Sequence, residues 1–366
     1  MTKTDLFDPC EFNGVALSNR IVLSPLTRAR ADMDGNPGPL QATYYAQRAS
    51  AGLLITEATA VVPEGRGGAF IPGLWDDRHI DAWRLTTDAV HARGGKIFCQ
   101  LWHAGRMSHS SLSLTGAPPV APSAMRQAGQ AFTAGGMADF EEARALTLEE
   151  LPQIVEQFRQ GARRAKAAGF DGVEVHGAHS YLLDAFMRDM SNKRTDAYGG
   201  SIENRARLLL EVMAAVAQVW GPALTAVRLS PIGHAYQTWD SNPEPLFTHV
   251  VEGLNDLGIG WLDLVEGDTG ISRQAEPSFD LQNLRRLFKG ALIANNFYDL
   301  ELAVKARAEN TADLIAFGRP FIGNPDLVER LKAGAALAEA HPRTFYGGGA
   351  EGYTDFPAMD AEAVRV

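Results

Sequence analysis

The chain has 366 residues, enough for one large domain or two ordinary ones. Hydrophobic residues at 45% and charged residues at 21% mark a globular protein. The net charge of −10, from 34 basic and 44 acidic residues without a basic run, argues against nucleic-acid binding.

No stretch approaches a membrane span, and the opening MTKTDLFDPCEFNG has no apolar leader core. Cys10 and Cys99 match no zinc or redox spacing and suit a reducing compartment. The expectation is a soluble cytoplasmic protein with neither nucleic acid nor membrane as partner.

In chain order, LFDPCEFNGVALSNR comes first. It alternates and carries Asn13-Gly14, so it reads as a hairpin plugging a barrel bottom. RIVLSPLT, from Arg20, is the first short apolar run ending in polar residues. The helical TYYAQRAS leads to the second, GLLITEATAV from Gly52. HIDAWRLTTDAVHARGG leads to KIFCQLWHAG from Lys96. The Gly/Ala/Ser/Pro-rich stretch from Leu112 to Ala145 is too long for a plain connector and reads as a lid or pocket wall. LTLEELPQIVEQFRQGARRAKAAGF, with Thr147 and Glu150 as a capping box, leads to DGVEVHGAH from Asp171. SIENRARLLLEVMAAVAQVW, capped by Ser201, leads to LTAVRLSPI from Leu224. PEPLFTHVVEGLNDLG then leads to WLDLVEG from Trp261, LQNLRRLF to ALIANNF from Ala291, and LELAVKARAE to LIAFGRP from Leu314. NPDLVERLKAG closes the series.

Eight short apolar runs, each followed by a helical pattern, predict one closed (β/α)8 barrel over residues 1–366. The alternatives are an open doubly wound sheet or two α/β domains. No Pro/Gly/Ser-rich linker divides the chain, and no GxGxxG follows a strand.

Barrel chemistry sits at the C-terminal ends of the strands, and the polar residues gather there. These are Ser24, Pro25 and Thr27 in the first run, Glu57 and Thr59 in the second, and Gln100, Trp102 and His103 in the third. His176, His179 and Tyr181 follow the fourth, Arg228 lies in the fifth, Asn295 and Asn296 end the seventh, and Gly318 and Arg319 the eighth. Side-chain alternation puts Gln100 with Trp102, and Glu174 with His176, facing inward while Val173 and Val175 face the helices. Arg228 is then expected beside Glu174, since a buried carboxylate needs a partner.

HGAHSYLL admits several roles. A zinc helix uses HExxH, whereas these histidines are three apart at a strand end, and strand one offers VLSPL where a barrel hydrolase needs ligands. A Schiff-base lysine is missing from the strand ends; Lys96 is at the wrong end. A purely structural pair is a further alternative. Two N–H donors facing one cavity fit best as a clamp on a carbonyl or nitro oxygen. Gly318 and Arg319, after strand eight, fall where barrels hold phosphate; a surface salt bridge is the other role open to Arg319.

RIVLSPLTR, GLLITEAT, QLWHAGR, DGVEVHGAHSYLLDAF, NKRTDAYGGSIENRARLLLEV, FGRPFIGNPDL and TFYGGGAEGYTDFP together resemble the old yellow enzyme family, in order and over essentially the whole chain. The likeness is greatest to its pentaerythritol tetranitrate, glycerol trinitrate and N-ethylmaleimide reductase branch. The resemblance implies a non-covalent FMN in a (β/α)8 barrel, NADPH or NADH as reductant, and reduction of electron-poor alkenes or nitro compounds by a monomer or homodimer. Nitrate-ester or nitroaromatic reduction at the same site is the alternative. It further implies that Pro25, Leu26, Thr27 and Ala58 line the flavin, and that Gln100 and Arg228 bond its pyrimidine edge. Asn295, Asn296, Gly318 and Arg319 would hold its phosphate. His176 and His179 would polarise the substrate, Trp102 and Tyr346 would shape the pocket, and Tyr181 would donate the proton. The segment QAGQAFTAGGMADFEEAR is unlike the family, and Ser180 stands where glycine is common.

Overall fold

The computed structural model describes residues 4–359, except 235, 237, 270 and 275–278. Eight parallel strands form the barrel: β1 (Ile21–Leu23), β2 (Leu53–Ile55), β3 (Ile97–Trp102), β4 (Gly172–His176), β5 (Thr225–Leu229), β6 (Trp261–Val265), β7 (Ala291–Asn295) and β8 (Leu314–Phe317). Each pairs in parallel with the next, β8 pairs with β1, and β3 pairs with β4, so the ring closes. A two-residue strand, Thr59–Ala60, continues the line of β2 along the upper half of β3. The predicted barrel is therefore the observed one. Its strands are buried throughout and mostly apolar, because both faces are covered.

The helices are α1 (Pro39–Gln47), α2 (Arg78–His91), α3 (Leu151–Ala167), α4 (Leu182–Met187), α5 (Ile202–Trp220), α6 (Pro243–Asp256), α7 (Gln282–Leu287), α8 (Leu300–Ala308), α9 (Arg319–Gly323) and α10 (Leu327–Ala333). Ser201 caps α5 by accepting from the Asn204 amide. Before α3, the Glu150 carboxylate accepts the Thr147 amide at 2.8 Å, the half of the capping box that holds the turn. Val173 and Val175 pack outward among helix residues such as Phe158 and Leu209, as alternation requires.

The N-terminal hairpin pairs Cys10–Phe12 with Val15–Leu17. Asn13 and Gly14 both take positive φ, at 53° and 80°, which a two-residue turn of this twist demands. The Asn13 side chain donates to the Gly260 carbonyl at 2.7 Å, pinning the hairpin to the barrel. Val15 and Leu17 complete an apolar cluster with Phe98, Trp261, Ile293 and Leu314, so the hairpin does plug the bottom. All chemistry is thereby left to the opposite mouth.

The stretch between residues 112 and 145 has its own structure. Val120–Ala121, Met125–Arg126 and Glu142–Ala145 make a three-stranded sheet, and Gln130–Thr133 pairs with Gly136–Asp139 as a hairpin. Ala131 and Phe140 bury against Trp102 and Ala58, which makes this stretch a wall of the mouth.

Trp261 is fully buried at the plug, with Phe12 and Phe98 edge-on at 6.1 and 5.6 Å. Trp261→Ala is expected to cost about 3–5 kcal/mol, read as a lower urea midpoint. An unchanged midpoint would show that the plug contributes little.

Candidate active site

β3 and β4 deliver the centre of the site. Gly105 takes φ +61°, and a Cβ there would lie 3.0 Å from the Leu182 Cα, so only glycine lets α4 start against the end of β3. The Leu182 amide donates to the His103 carbonyl at 3.1 Å, which ties the two segments. As a result the Tyr181 ring stands perpendicular to Trp102 at 4.9 Å and to His176 at 4.9 Å, and His176 is 5.4 Å from His179. The structure thus brings Trp102, His176, His179 and Tyr181 into one cluster.

The turn between the histidines is strained. His179 and Ser180 both have positive φ, 57° and 65°, without being glycine. A buried network holds them there. Asp184 accepts the Ser180 amide at 2.8 Å and pairs with Arg188 at 2.8 Å, both side chains 1% exposed. Arg188 donates to the carbonyls of Ser230 and Pro231 at 2.5 and 2.9 Å, and the Ser230 hydroxyl accepts the His179 amide at 3.0 Å. Asp184, Arg188 and Ser230 were invisible as site residues in the sequence.

Both imidazoles are neutral. The His176 Nδ1 accepts the Ala178 amide at 3.3 Å, so its ring proton sits on Nε2. Burial, then His179, then Arg228 hold its pKa well below the ordinary value. Burial, with Arg228 and Arg188, pushes His179 down to about 3. Its Nε2 lies 2.8 Å from the Thr269 hydroxyl, a contact with no signal in the sequence. Burial raises the Tyr181 phenol, and nearby Tyr236 and Tyr346 reinforce this. Tyr346 is 65% exposed. Its segment is fixed from below: Arg28 donates to the carbonyls of Phe345, Thr344 and Gly352, and Arg30 to those of Gly349 and Thr344.

The inner layer differs from expectation in one respect. Arg228 lies opposite both His176 and Asp263 in register, and it pairs with Asp263 at 2.6 Å rather than with Glu174. Glu174 lies opposite Ala226 and Gln100, and Gln100 donates to it at 2.7 Å. The sequence pattern gives facing but not register, and a two-residue offset along β5 was enough to exchange the partner.

Ser24 closes the layer, accepting from Asn295 at 2.8 Å and from Arg228 at 3.4 Å. Asn296, at φ +99°, spends its amide on the carbonyl of Glu266 at 2.7 Å. Both asparagine side chains are thus engaged by the protein. Pro25, Leu26 and Thr27 line the strand-one exit, part-buried, and Ala58 is buried beside Trp102. Arg319 is exposed and makes no ion pair among the described residues. Next to it, a Cβ on Gly318 would meet only Leu26 at 3.4 Å and Ser24 at 4.0 Å, and its φ is −98°. Protein contacts do not demand glycine at this position. Among the described residues no cluster of His, Cys, Asp and Glu is placed to hold a metal.

A family model described as the NADH:flavin oxidoreductase / NADH oxidase family matches residues 5–338. The chain superposes on the old yellow enzyme homologue of Zymomonas mobilis with a TM-score of 0.92 and 44% identity, covering 96% of this chain and 99% of that one. This chain belongs to the old yellow enzyme family. It is an oxidoreductase of the flavin- and nicotinamide-binding kind. Old yellow enzyme relatives similar to it include 12-oxophytodienoate reductase 7 of Oryza sativa subsp. japonica, 41% identical over 380 residues, with 99% of this chain and 96% of that one covered. Morphinone reductase in complex with tetrahydroNAD superposes with a TM-score of 0.93 and 44% identity over 98% and 99% of the two chains. No helix among the described residues is long and apolar enough to cross a membrane.

The residues present fit a flavin. The mouth holds a guanidinium, a primary amide and small apolar side chains. Trp102 Nε1 and Glu174 Oε2 are buried without a protein partner, and Gly318 leaves room that protein does not fill.

Two outcomes are expected. Asp184→Ala strands the Arg188 charge and should cost about 3–5 kcal/mol in chemical denaturation. The second concerns pH. His179 is pushed down to about 3 and His103 to about 4, against about 6.5 unfolded. Between those values the unfolded chain binds more protons, so stability rises with pH there and is lost as pH falls from about 6.5. Urea midpoints measured across that range that stay flat would contradict the assignment of neutral histidines.

Proposed function

We propose that this protein is an FMN-dependent ene-reductase. It uses NADPH or NADH to reduce the activated C=C bond of an α,β-unsaturated carbonyl, maleimide or nitro compound. The observation that carries this reading is the perpendicular cluster of His176 and Tyr181 beside His179, with the His176 ring proton turned away from its own backbone. A neutral pair of donors beside an unionised phenol suits a substrate whose oxygen gains negative charge in the transition state.

Gln100 and Arg228 would hold the pyrimidine edge of the flavin. Pro25, Leu26, Thr27 and Ala58 would line its ring. Arg319, the space at Gly318, and the backbone of Asn295 and Asn296 would take the phosphate. When bound, the flavin supplies a hydride to the substrate's β-carbon. Everything else falls to the chain. His176 donates from Nε2 to the substrate oxygen. The Thr269 hydroxyl holds His179 Nε2 at 2.8 Å and orients the ring, whose remaining N–H would face the ligand. The two N–H groups stabilise the developing enolate or nitronate charge. Tyr181 delivers a proton to the α-carbon. Its raised pKa keeps the phenol protonated at working pH, as an acid must be. Trp102 fixes the phenol ring edge-on, and Tyr346 forms the outer rim.

Tyr181→Phe should keep bound flavin and its reduction by NADPH or NADH, while slowing reoxidation by 2-cyclohexenone about 10²–10⁴-fold, the usual worth of a general acid. Stopped-flow spectra of the two half-reactions separate these. Equal loss of both would show that Tyr181 has another role.

A further inference from the structure

Inside the barrel, just below the histidine cluster, two carboxylates lie near a single guanidinium that only one of them pairs with. Asp263 on β6 accepts from Arg228 on β5 at 2.6 Å. Glu174 on β4 has only Gln100 on β3, which donates through Nε2 to Oε1 at 2.7 Å. Its Oε2 is buried with no hydrogen-bond partner in the protein. Both carboxylates are fully buried.

The other groups facing this layer are Ser24, bonded to Arg228 and Asn295, and His176, two residues on along β4. His176 is neutral and brings no charge. The cluster therefore holds one firm positive charge against two acids. If both acids were ionised, it would carry a net negative charge away from bulk water, with two oxygens, Glu174 Oε2 and Asp263 Oδ1, lacking any donor. Keeping a proton on Glu174 removes the net charge. In agreement, burial first and Asp263 second push Glu174 up to about 8.

We propose that Glu174 stands as a neutral carboxylic acid behind Gln100 at neutral pH, and that in alkaline solution, where it has ionised, it takes up a proton from solvent when the flavin is reduced and releases it on reoxidation. This rests on Gln100 and Arg228 being the pyrimidine-edge contacts. Two electrons and one hydrogen nucleus arrive as the hydride from the nicotinamide. The reduced ring bears negative charge at the edge that Arg228 faces. That charge draws on the same guanidinium that partly offsets a Glu174 carboxylate, so an ionised Glu174 becomes costlier and binds a proton from solvent. Glu174 touches neither substrate nor reacting atoms. It is a positioning and charge-balancing residue: Gln100, donating to it through Nε2, keeps its own Oε1 as an acceptor for a ligand N–H.

Two measurements test this, with the intact chain. The first is infrared spectroscopy of the protein freed of flavin. A carboxylic-acid C=O band is expected at neutral pH, fading as pH rises through about 8 and missing in Glu174→Gln. Asp263→Asn removes the repelling charge and should shift the fading to lower pH, so the test does not depend on one variant folding. No such band in the wild type overturns the proposal.

The second is the flavin midpoint potential against pH. Above about pH 8 the wild type should take up two protons per two electrons, doubling the slope, while Glu174→Gln keeps the shallower slope throughout. Equal slopes in the two proteins, with flavin bound, overturn the coupling and leave the proposed function standing. A protein that binds no flavin overturns the proposed function and the coupling together, while the infrared band still reports on Glu174 itself.

Discussion

Arg228 carries its guanidinium into the interior of the barrel, and the rest of the mouth is arranged around that charge. Asp263 pairs with it directly. Ser24 links it to Asn295, and Glu174 is denied a direct share of it. A buried cation needs such company, because an unpaired one costs far more than any single contact returns. Burial keeps the nearby imidazoles neutral, and the same charge reinforces this by repelling further positive charge. One residue thus sits between neutral histidines above it and a paired carboxylate beside it.

A second network fixes geometry rather than charge. Two consecutive non-glycine residues in the left-handed region are tolerated only where the surroundings over-determine them. Asp184, Arg188 and Ser230 do so here by taking up the backbone groups of the turn. The turn aims His179 toward His176, and the Tyr181 ring follows at the start of α4. The barrel contributes a rigid ring of strand ends, and these local locks turn it into a site.

Much of this was legible in the sequence. Eight apolar runs alternating with helical patterns gave the barrel, because a parallel sheet covered on both faces leaves that trace. Asn13-Gly14 announced the plug, and the polar tips of the runs pointed to the mouth. Less legible were contacts that depend on register. Whether Arg228 meets Glu174 or Asp263 is decided by how β4, β5 and β6 slide past one another, and period-two alternation carries no record of that offset. Thr269 and the Asp184–Arg188 pair were hidden for a different reason. Their importance comes from side chains meeting across 90 residues, or from one helix turn being dry, and neither leaves a local motif. The folding of residues 112–145 into small sheets was also beyond reach, since runs of two to four strand residues are too short to show a period.

The central claim is that the cluster at the mouth passes electrons from a nicotinamide through a flavin to an electron-poor alkene. The most direct test is the visible spectrum of the purified protein under anaerobic conditions, first with NADPH or NADH and then with 2-cyclohexenone. A flavin band that bleaches with the nicotinamide and returns on adding the enone is the result expected. A protein that stays colourless even when FMN is supplied, or a reduced flavin that the enone never reoxidises, would contradict the account.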